Sequence, residues 1–168
     1  MPDYLAAYRM HRRDLDGALA QITDEEFDRS PGGSANSASV IIRHLAGNFA
    51  SRFTDFLDSD GEKPWRQREV EFQPAGQSRN ETMAEFDRAW EIMVDSVTNL
   101  SATDLQSTIT IRGKPLGVED ALLRSVAHFA SHVGQIIMIG KQLRGDDWTY
   151  LSIPPGGTQA YNQEPGRR

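Results

Sequence analysis

The chain has 168 residues, with 24 acidic and 18 basic side chains, a net charge of −6 and no cysteine. We expect one domain over residues 1–168, with a frayed tail near 159–168. The acidic balance argues against a nucleic-acid partner, and the lack of cysteine excludes disulfides, thiolate metal sites and a cysteine nucleophile. No stretch is apolar for long enough to form a membrane span or a signal peptide, so we expect a cytoplasmic protein without a membrane partner.

Two long helical segments are predicted before residue 58. Apolar residues recur at spacings of three and four from Tyr4 to Ile22, which places them on one helix face. Thr23 and Glu26 then have the spacing of a capping box and predict a short helix. After the breaker SPGGSANS, the apolar pattern predicts a second long helix over about residues 36–57.

A long polar link, residues 58–79, separates the second long helix from the third. A link of this length usually crosses over the fold or carries function. The third helix follows a capping-box pattern at Ser78 and Glu81, and it keeps a regular apolar repeat from Met83 to Leu100. That repeat would suit either a core face or an interface.

The last predicted elements are a hairpin and a fourth long helix. TITIRGKPL, residues 108–116, alternates and then turns at Gly113 and Lys114, which predicts a small β-hairpin. The fourth helix runs over about residues 117–145, and because residues 121–139 are apolar almost all round we expect it to be the most buried helix. The whole pattern predicts an all-α fold, a four-helix bundle with one long crossover between the second and third helices.

Two histidines lie four residues apart on the fourth helix, so His128 and His132 project from the same side. Residue 129 is Phe, which removes the H-E-x-x-H pattern of zinc peptidases. Ser125 and Gln135 extend the pair into a polar stripe, and burying imidazoles without partners is costly. A metal ion would partner both histidines. The alternatives are exposed histidines at a helix edge and core histidines that only form hydrogen bonds.

A third histidine, His44, borders the inward face of the second helix, and Asn48 follows one turn later. Gly47 is destabilising in mid-helix unless a backbone or ligand comes close to it. Together with the pair on the fourth helix, His44 offers three neutral nitrogen ligands, and an open fourth position is typical of catalytic zinc sites. We interpret His11, on the apolar stripe of the first helix, as a core or interface histidine rather than a group near the metal.

Four short motifs resemble the DinB/YfiT-like superfamily of helical-bundle metalloenzymes, in particular a branch of unknown function. They are HLAGN on the second helix, AHFASHVGQI on the fourth, DGEKPW after the second and LSIP in the tail, within residues 3–162. The resemblance implies up-down-down-up helix order, with the second and third helices parallel. It also implies a homodimer and a metal triad of one histidine on the second helix and an H-x-x-x-H pair on the fourth, matching His44, His128 and His132.

Some members of this superfamily transfer low-molecular-weight bacterial thiols, or use one in an isomerisation. The resemblance therefore implies a divalent-metal-dependent enzyme, a transferase or hydrolase, with thiol S-transfer to a small electrophile favoured. Zn²⁺ is the expected ion, with Ni²⁺ or Fe²⁺ as alternatives, and Asn48 is a candidate to orient the group at the metal. The competing hypothesis is a non-catalytic metal-binding or stress-related dimeric module, in which the histidines are structural or sense metal.

Further polar residues are candidates for ligand binding. Arg52, Trp65, Arg66 and Arg112 would hold an anionic group if they face the mouth of the bundle. The alternative for each arginine is a surface position that covers apolar area with its stem. The acidic run DSDGE, residues 58–62, lacks the ligand pattern of a calcium loop, and we interpret it as a solvated turn.

Overall fold

The structure, a computed structural model, describes residues 3–73 and 75–163, and this part of the chain is mostly helical. Its helices and strands are α1 (Tyr4–Leu19), α2 (Asp24–Asp28), α3 (Ala38–Phe53), α4 (Arg79–Thr98), α5 (Ala102–Leu105), β1 (Thr108–Ile111), β2 (Lys114–Gly117), α6 (Val118–Arg144) and α7 (Thr158–Gln163). Short 3-10 segments cover Arg68–Phe72 and Gly145–Asp147. The all-α class is confirmed, with a small two-stranded sheet. None of the described helices is both long and apolar enough to cross a membrane.

Side chains cap the first turns of α1 to α5, whereas α6 begins after Gly117 without a side-chain cap. Both hydrogen bonds of the predicted capping boxes form, between Thr23 and Glu26 before α2 and between Ser78 and Glu81 before α4. The hydroxyl of Ser37 accepts from the backbone of the first turn of α3. These caps satisfy N–H groups that have no partner inside the helix, so local sequence fixes where the helices start.

The core is aromatic and draws on all four long helices. Tyr8, Phe49, Trp90 and Phe129, one from each of α1, α3, α4 and α6, have ring centroids between 5.3 and 6.4 Å apart. Such rings bury large apolar areas and prefer edge-to-face or offset contacts. The most extensive helix packing joins α3 to α4 and α1 to α6, and α3 also packs against α6.

The expectation that the fourth long helix is the most buried is wrong. Eleven of the 16 residues of α3 are buried, against eight of the 27 residues of α6. Leu123 and Met138 of α6 are 57% and 63% exposed. The reason is that α6 packs along one side only, mainly on α1, whereas α3 is covered by α4, α6 and the Arg68–Phe72 segment.

The predicted hairpin is confirmed, but its turn lies one residue earlier than expected. Ile111 pairs with Lys114, so the turn residues are Arg112 and Gly113, with φ of 56° and 70°. Two positive φ values are typical of a type I′ turn. The Asp60 carboxylate accepts from the backbone N–H groups of Arg112 and Gly113 at 2.8 and 2.7 Å. The link that follows α3 is thereby tied to the hairpin.

The C-terminal segment returns to the helices. The Trp148 ring covers Gly140 of α6, where an added Cβ would lie 2.6 Å from a ring carbon. Within the tail that was expected to be frayed, residues 158–163 form α7. This helix begins with a hydrogen bond of 3.0 Å from Tyr161 N–H to the Gly157 carbonyl. The rest of the predicted tail, residues 164–168, lies outside the described residues.

Candidate metal centre

Helices α3 and α6 bring three of the four histidines together. The Nε2 atoms of His44 and His132 each lie 3.2 Å from Nε2 of His128. One nitrogen from each ring lies within 4.8 Å of the other two, a cluster that could hold a metal ion. His128 and His132 meet because residues four apart share one side of a helix, and the packing of α3 on α6 adds His44.

In two of the rings, the hydrogen-bond partner of Nδ1 shows which nitrogen presents a lone pair to the centre of the cluster. His44 Nδ1 lies 2.9 Å from Glu71 Oε2 and His132 Nδ1 lies 2.8 Å from Gln135 Oε1. Carboxylate and amide oxygens only accept, so both Nδ1 atoms carry hydrogen, and in neutral rings both Nε2 atoms present lone pairs. His128 Nε2 can donate one hydrogen to one of them, which leaves the other 3.2 Å contact between two acceptors. A cation between the three nitrogens removes this conflict.

The spacing of the three nitrogens also suits a metal. Zinc binds imidazole nitrogen at about 2.0–2.1 Å in tetrahedral sites, which separates two ligand nitrogens by about 3.3 Å. The two measured separations are 3.2 Å. Because the third pair also lies within 4.8 Å, the three nitrogens could hold one divalent ion.

His44 is held by a buried ionic pair. Arg66 donates to both oxygens of Glu71, from Nε at 2.8 Å and from Nη2 at 2.9 Å, and it donates from Nη1 to the Ser51 hydroxyl. The side chains of Arg66 and Glu71 are only 2% and 11% exposed. Burial alone would raise the pKa of the Glu71 carboxyl, but the hydrogen bonds from His44 and Arg66 and the Arg66 charge outweigh it and lower the pKa. Glu71 therefore stays ionised and accepts from His44.

Gly47 makes room for this carboxylate. A Cβ added at Gly47 would lie 2.1 Å from Glu71 Oε1. The sequence predicted a close approach at this position by a backbone or a ligand, and the approaching group is a side chain from the Arg68–Phe72 segment. Phe72 of the same segment lies with its ring centroid 5.0 Å from that of His44. The long polar link thus supplies the support for one side of the site.

The α6 side is held locally, by Gln135 one turn beyond His132. Burial, and then repulsion from the protonated forms of His132 and His44 and from Arg66 and Arg124, lower the pKa of His128 to about 4. Burial also lowers the pKa of His132, although its hydrogen bond to Gln135 opposes the shift. Both imidazoles are therefore neutral near pH 7, which is the protonation state that binds metals.

Some of the remaining candidate residues lie beside the histidines, and others lie away from them. Asn48 lines a cavity of about 180 Å³ beside His44 and His128, together with Arg52, Arg66 and Arg112. Trp65 does not line that cavity, and its side chain is half exposed. His11 is partly buried and lies outside the cluster, with its ring centroid 6.3 Å from that of Phe129.

The sequence analysis missed Glu71. Its only local signal was Gly47 in the middle of a helix. Two buried polar atoms at the site, Ser125 Oγ and His128 Nδ1, have no hydrogen-bond partner within residues 3–73 and 75–163. They lie one turn apart on α6, on the side that faces the cavity.

Comparison with known proteins identifies a family without a known activity. No curated protein and no solved structure matches the sequence. Residues 2–157 match a family model described as Protein of unknown function (DUF1572). This match covers most of the chain and includes all three histidines of the cluster. The chain therefore belongs to the DUF1572 family.

Proposed function

We propose that this protein is a divalent-metal-dependent enzyme of the DinB/YfiT type, with His44, His128 and His132 as ligands to one ion, Zn²⁺ before Ni²⁺ or Fe²⁺. The observation that carries the proposal is the convergence of three Nε2 atoms, two of which have their Nδ1 hydrogens already donated to Glu71 and Gln135. Outer partners of this kind fix ring orientation at metal sites.

The proposal includes a four-helix bundle in up-down-down-up order. The packing of α1 on α6 and of α3 on α4 supports this arrangement. Parallel α3 and α4 need a connection that runs back along α3, whose 16 residues span about 24 Å. The link over residues 54–78 is ample for that distance, at up to about 3.3 Å per residue.

The proposed reaction is transfer of a low-molecular-weight thiol to a small electrophile. A bound divalent ion supplies Lewis-acid chemistry that lowers the pKa of a thiol or a water at its open position. The chain offers little help to hydrolysis, because no Asp or Glu lines the cavity beside the histidines. Glu71, the nearest carboxylate, is held by His44 and Arg66 and does not serve as a base. Asn48 is proposed to orient the bound group.

Thiol consumption tests this function directly. Zinc-loaded protein is incubated with a panel of small thiols and the electrophile 1-chloro-2,4-dinitrobenzene. In this reaction the sulfur–carbon bond forms as chloride leaves with its electron pair, and the thiol proton passes to the buffer. We expect consumption with at least one thiol, its loss in His128→Ala, and its retention in His11→Ala, a histidine outside the cluster. Zinc-loaded protein that consumes no thiol with this or other electrophiles contradicts the transferase and favours the non-catalytic metal-binding module.

We also propose that the protein is a homodimer. The support is the outward side of α6, where Leu123 and Met138 are 57% and 63% exposed. Light scattering after size exclusion should give twice the chain mass, and Met138→Lys should shift the protein toward monomer. Wild-type protein that is monomeric at micromolar concentration contradicts this part of the proposal and leaves the metal site unaffected.

A further inference from the structure

The cavity beside the histidine cluster is strongly basic in an acidic protein. It has a volume of about 180 Å³, and among the described residues it is lined by five arginines and by no Asp or Glu: Arg52, Arg66, Arg68, Arg112 and Arg124. The chain as a whole carries a net charge of −6, so this concentration of positive charge is local. Four apolar residues, Phe53, Phe56, Ile111 and Ala121, form half of the remaining wall, and the other half is polar.

Neighbouring carboxylates neutralise only part of this charge. Glu62 Oε2 is shared by Arg52 at 3.3 Å and Arg112 at 2.9 Å. Arg66 pairs with Glu71, and Arg68 pairs with Glu69. The fifth, Arg124, pairs with no carboxylate in the described part of the chain. Five guanidinium groups thus share three paired carboxylates, and the nearby Asp60 carboxylate, which accepts from the backbone of Arg112, brings the local excess to one positive charge.

Several of these arginines are held in place rather than free on the surface. Arg52 has a side chain only 15% exposed and donates to the Gly61 carbonyl. Asp60 fixes the backbone of Arg112 at the hairpin turn, and Glu71 fixes Arg66. The side chains of Arg112 and Arg124, by contrast, are exposed, and they are therefore the donors that a ligand can reach.

We infer that this cavity binds a small molecule through a carboxylate-bearing, anionic end that pairs with Arg112 and Arg124, with its apolar part against Phe53 and Phe56. The inference deepens the proposed function and rests on it for the reactive end, which would point to His44 and His128 in the same cavity. Anion binding itself does not require the metal. Arginine suits a carboxylate because its donors form paired hydrogen bonds with the two oxygens.

Calorimetric titration with succinate, and with uncharged succinamide as the matched probe, tests the inference on the full chain. The protein is first treated with a chelator and the ionic strength is held constant, so neither bound metal nor a change in the screening of charges affects the comparison. We expect succinate to bind and succinamide to bind at least about tenfold more weakly, because charge-assisted hydrogen bonds are lost. Arg124→Gln should weaken succinate about tenfold. Arg88→Gln, an exposed arginine on α4 outside the cavity, should leave the affinity unchanged.

The outcomes separate this inference from the metal proposal. Succinate selectivity that depends on Arg124, in a protein that takes up no zinc, upholds the anion site and overturns the metal site. Zinc uptake without any preference for succinate over succinamide overturns the anion site alone. Equal succinate affinity in wild type, Arg124→Gln and Arg88→Gln places any binding elsewhere and also overturns the inference. Matching unfolding curves for the two variants exclude loss of the fold as the cause.

Discussion

His44 and His132 present the same atom, Nε2, to the cluster, but their outer nitrogens are held in different ways. His44 donates to Glu71, a buried, ionised side chain from the link after α3, which Arg66 holds in turn. His132 donates to Gln135, a neutral and exposed residue on its own helix. The first support depends on how a distant segment folds, whereas the second needs only that α6 is helical.

This difference predicts which side of the site is more sensitive to substitution. Removing one partner of a buried pair leaves an uncompensated charge, which costs far more than losing an exposed neutral hydrogen bond. The α3 side should therefore respond strongly to small changes, and the α6 side should tolerate them. Four predictions test this contrast, beginning with the largest expected effect.

Gly47→Ala should lower the free energy of unfolding by about 2 to 4 kcal/mol. The new Cβ would displace Glu71, whose Oε1 lies 2.1 Å from its position, and the broken buried pair outweighs a gain of about 1 kcal/mol in helix propensity. Urea unfolding measures the change. Gly134→Ala is the matched control: its Cβ would meet nothing within 4 Å, so this mid-helix variant should be more stable by up to about 1 kcal/mol. Equal effects at the two glycines would contradict the role of Glu71.

His128, whose outer nitrogen has no partner in the described residues, should make the metal-free protein sensitive to acid. Its pKa is about 4 in the folded state against 6.5 for a free histidine, so between these values the unfolded chain binds more protons. The free energy of unfolding should therefore fall by about 2 to 3 kcal/mol as the pH drops from 6.5 to 4.

Urea unfolding of chelator-treated protein at several pH values in this range measures the effect. His128→Gln should lose that part of the pH dependence, and His11→Gln should keep it. Identical pH profiles for wild type and His128→Gln would show that His128 is not buried in its neutral form.

Glu71→Gln should weaken zinc binding about 10- to 100-fold. The amide has nearly the shape of the carboxylate but lacks the charge that accepts from His44 and pairs with Arg66. Competition with a zinc-binding dye measures the affinity. Glu69→Gln, an exposed change in the same 3-10 segment, is the control and should bind zinc as wild type does. An unchanged affinity in Glu71→Gln would remove Glu71 from the site.

Gln135→Ala should have the smallest effect, a loss of zinc affinity of less than about tenfold and a change in stability within about 0.5 kcal/mol. His132 keeps its place on α6 without this exposed partner. The same dye competition, run beside Glu71→Gln, gives the ratio between the two supports. A larger loss in Gln135→Ala than in Glu71→Gln would reverse the comparison.

Local signals in the sequence account for most of the fold that could be predicted. Apolar periodicity located the long helices, and the capping boxes at Thr23 and Ser78 located the starts of α2 and α4, because both signals depend on residues within a few positions. The burial of α6 could not be predicted in this way, since it depends on which neighbours cover each side. The prediction placed the hairpin turn one residue too late, because the conformation of Arg112 depends on Asp60, which lies far away in the chain.

The candidate site likewise has one part that local sequence predicts and one part that depends on the fold. The pairing of His128 with His132, and the polar stripe that ends at Gln135, follow from helical spacing alone. Glu71 lies 27 residues from His44, in a segment with no periodicity, and only a glycine without a local reason marked its place. The arginines of the cavity come from α3, the link, the hairpin and α6, so their convergence appears only in the fold.

Zinc content after loading tests the central claim most directly. Tag-free wild type, His128→Ala and His11→Ala are incubated with Zn²⁺, passed through a desalting column and measured by elemental analysis. The metal site predicts one equivalent in wild type and His11→Ala and none in His128→Ala, with all three proteins folded. Wild type without zinc, or equal zinc in His128→Ala, would contradict a three-histidine metal site and leave the cluster as hydrogen-bonded histidines of the core.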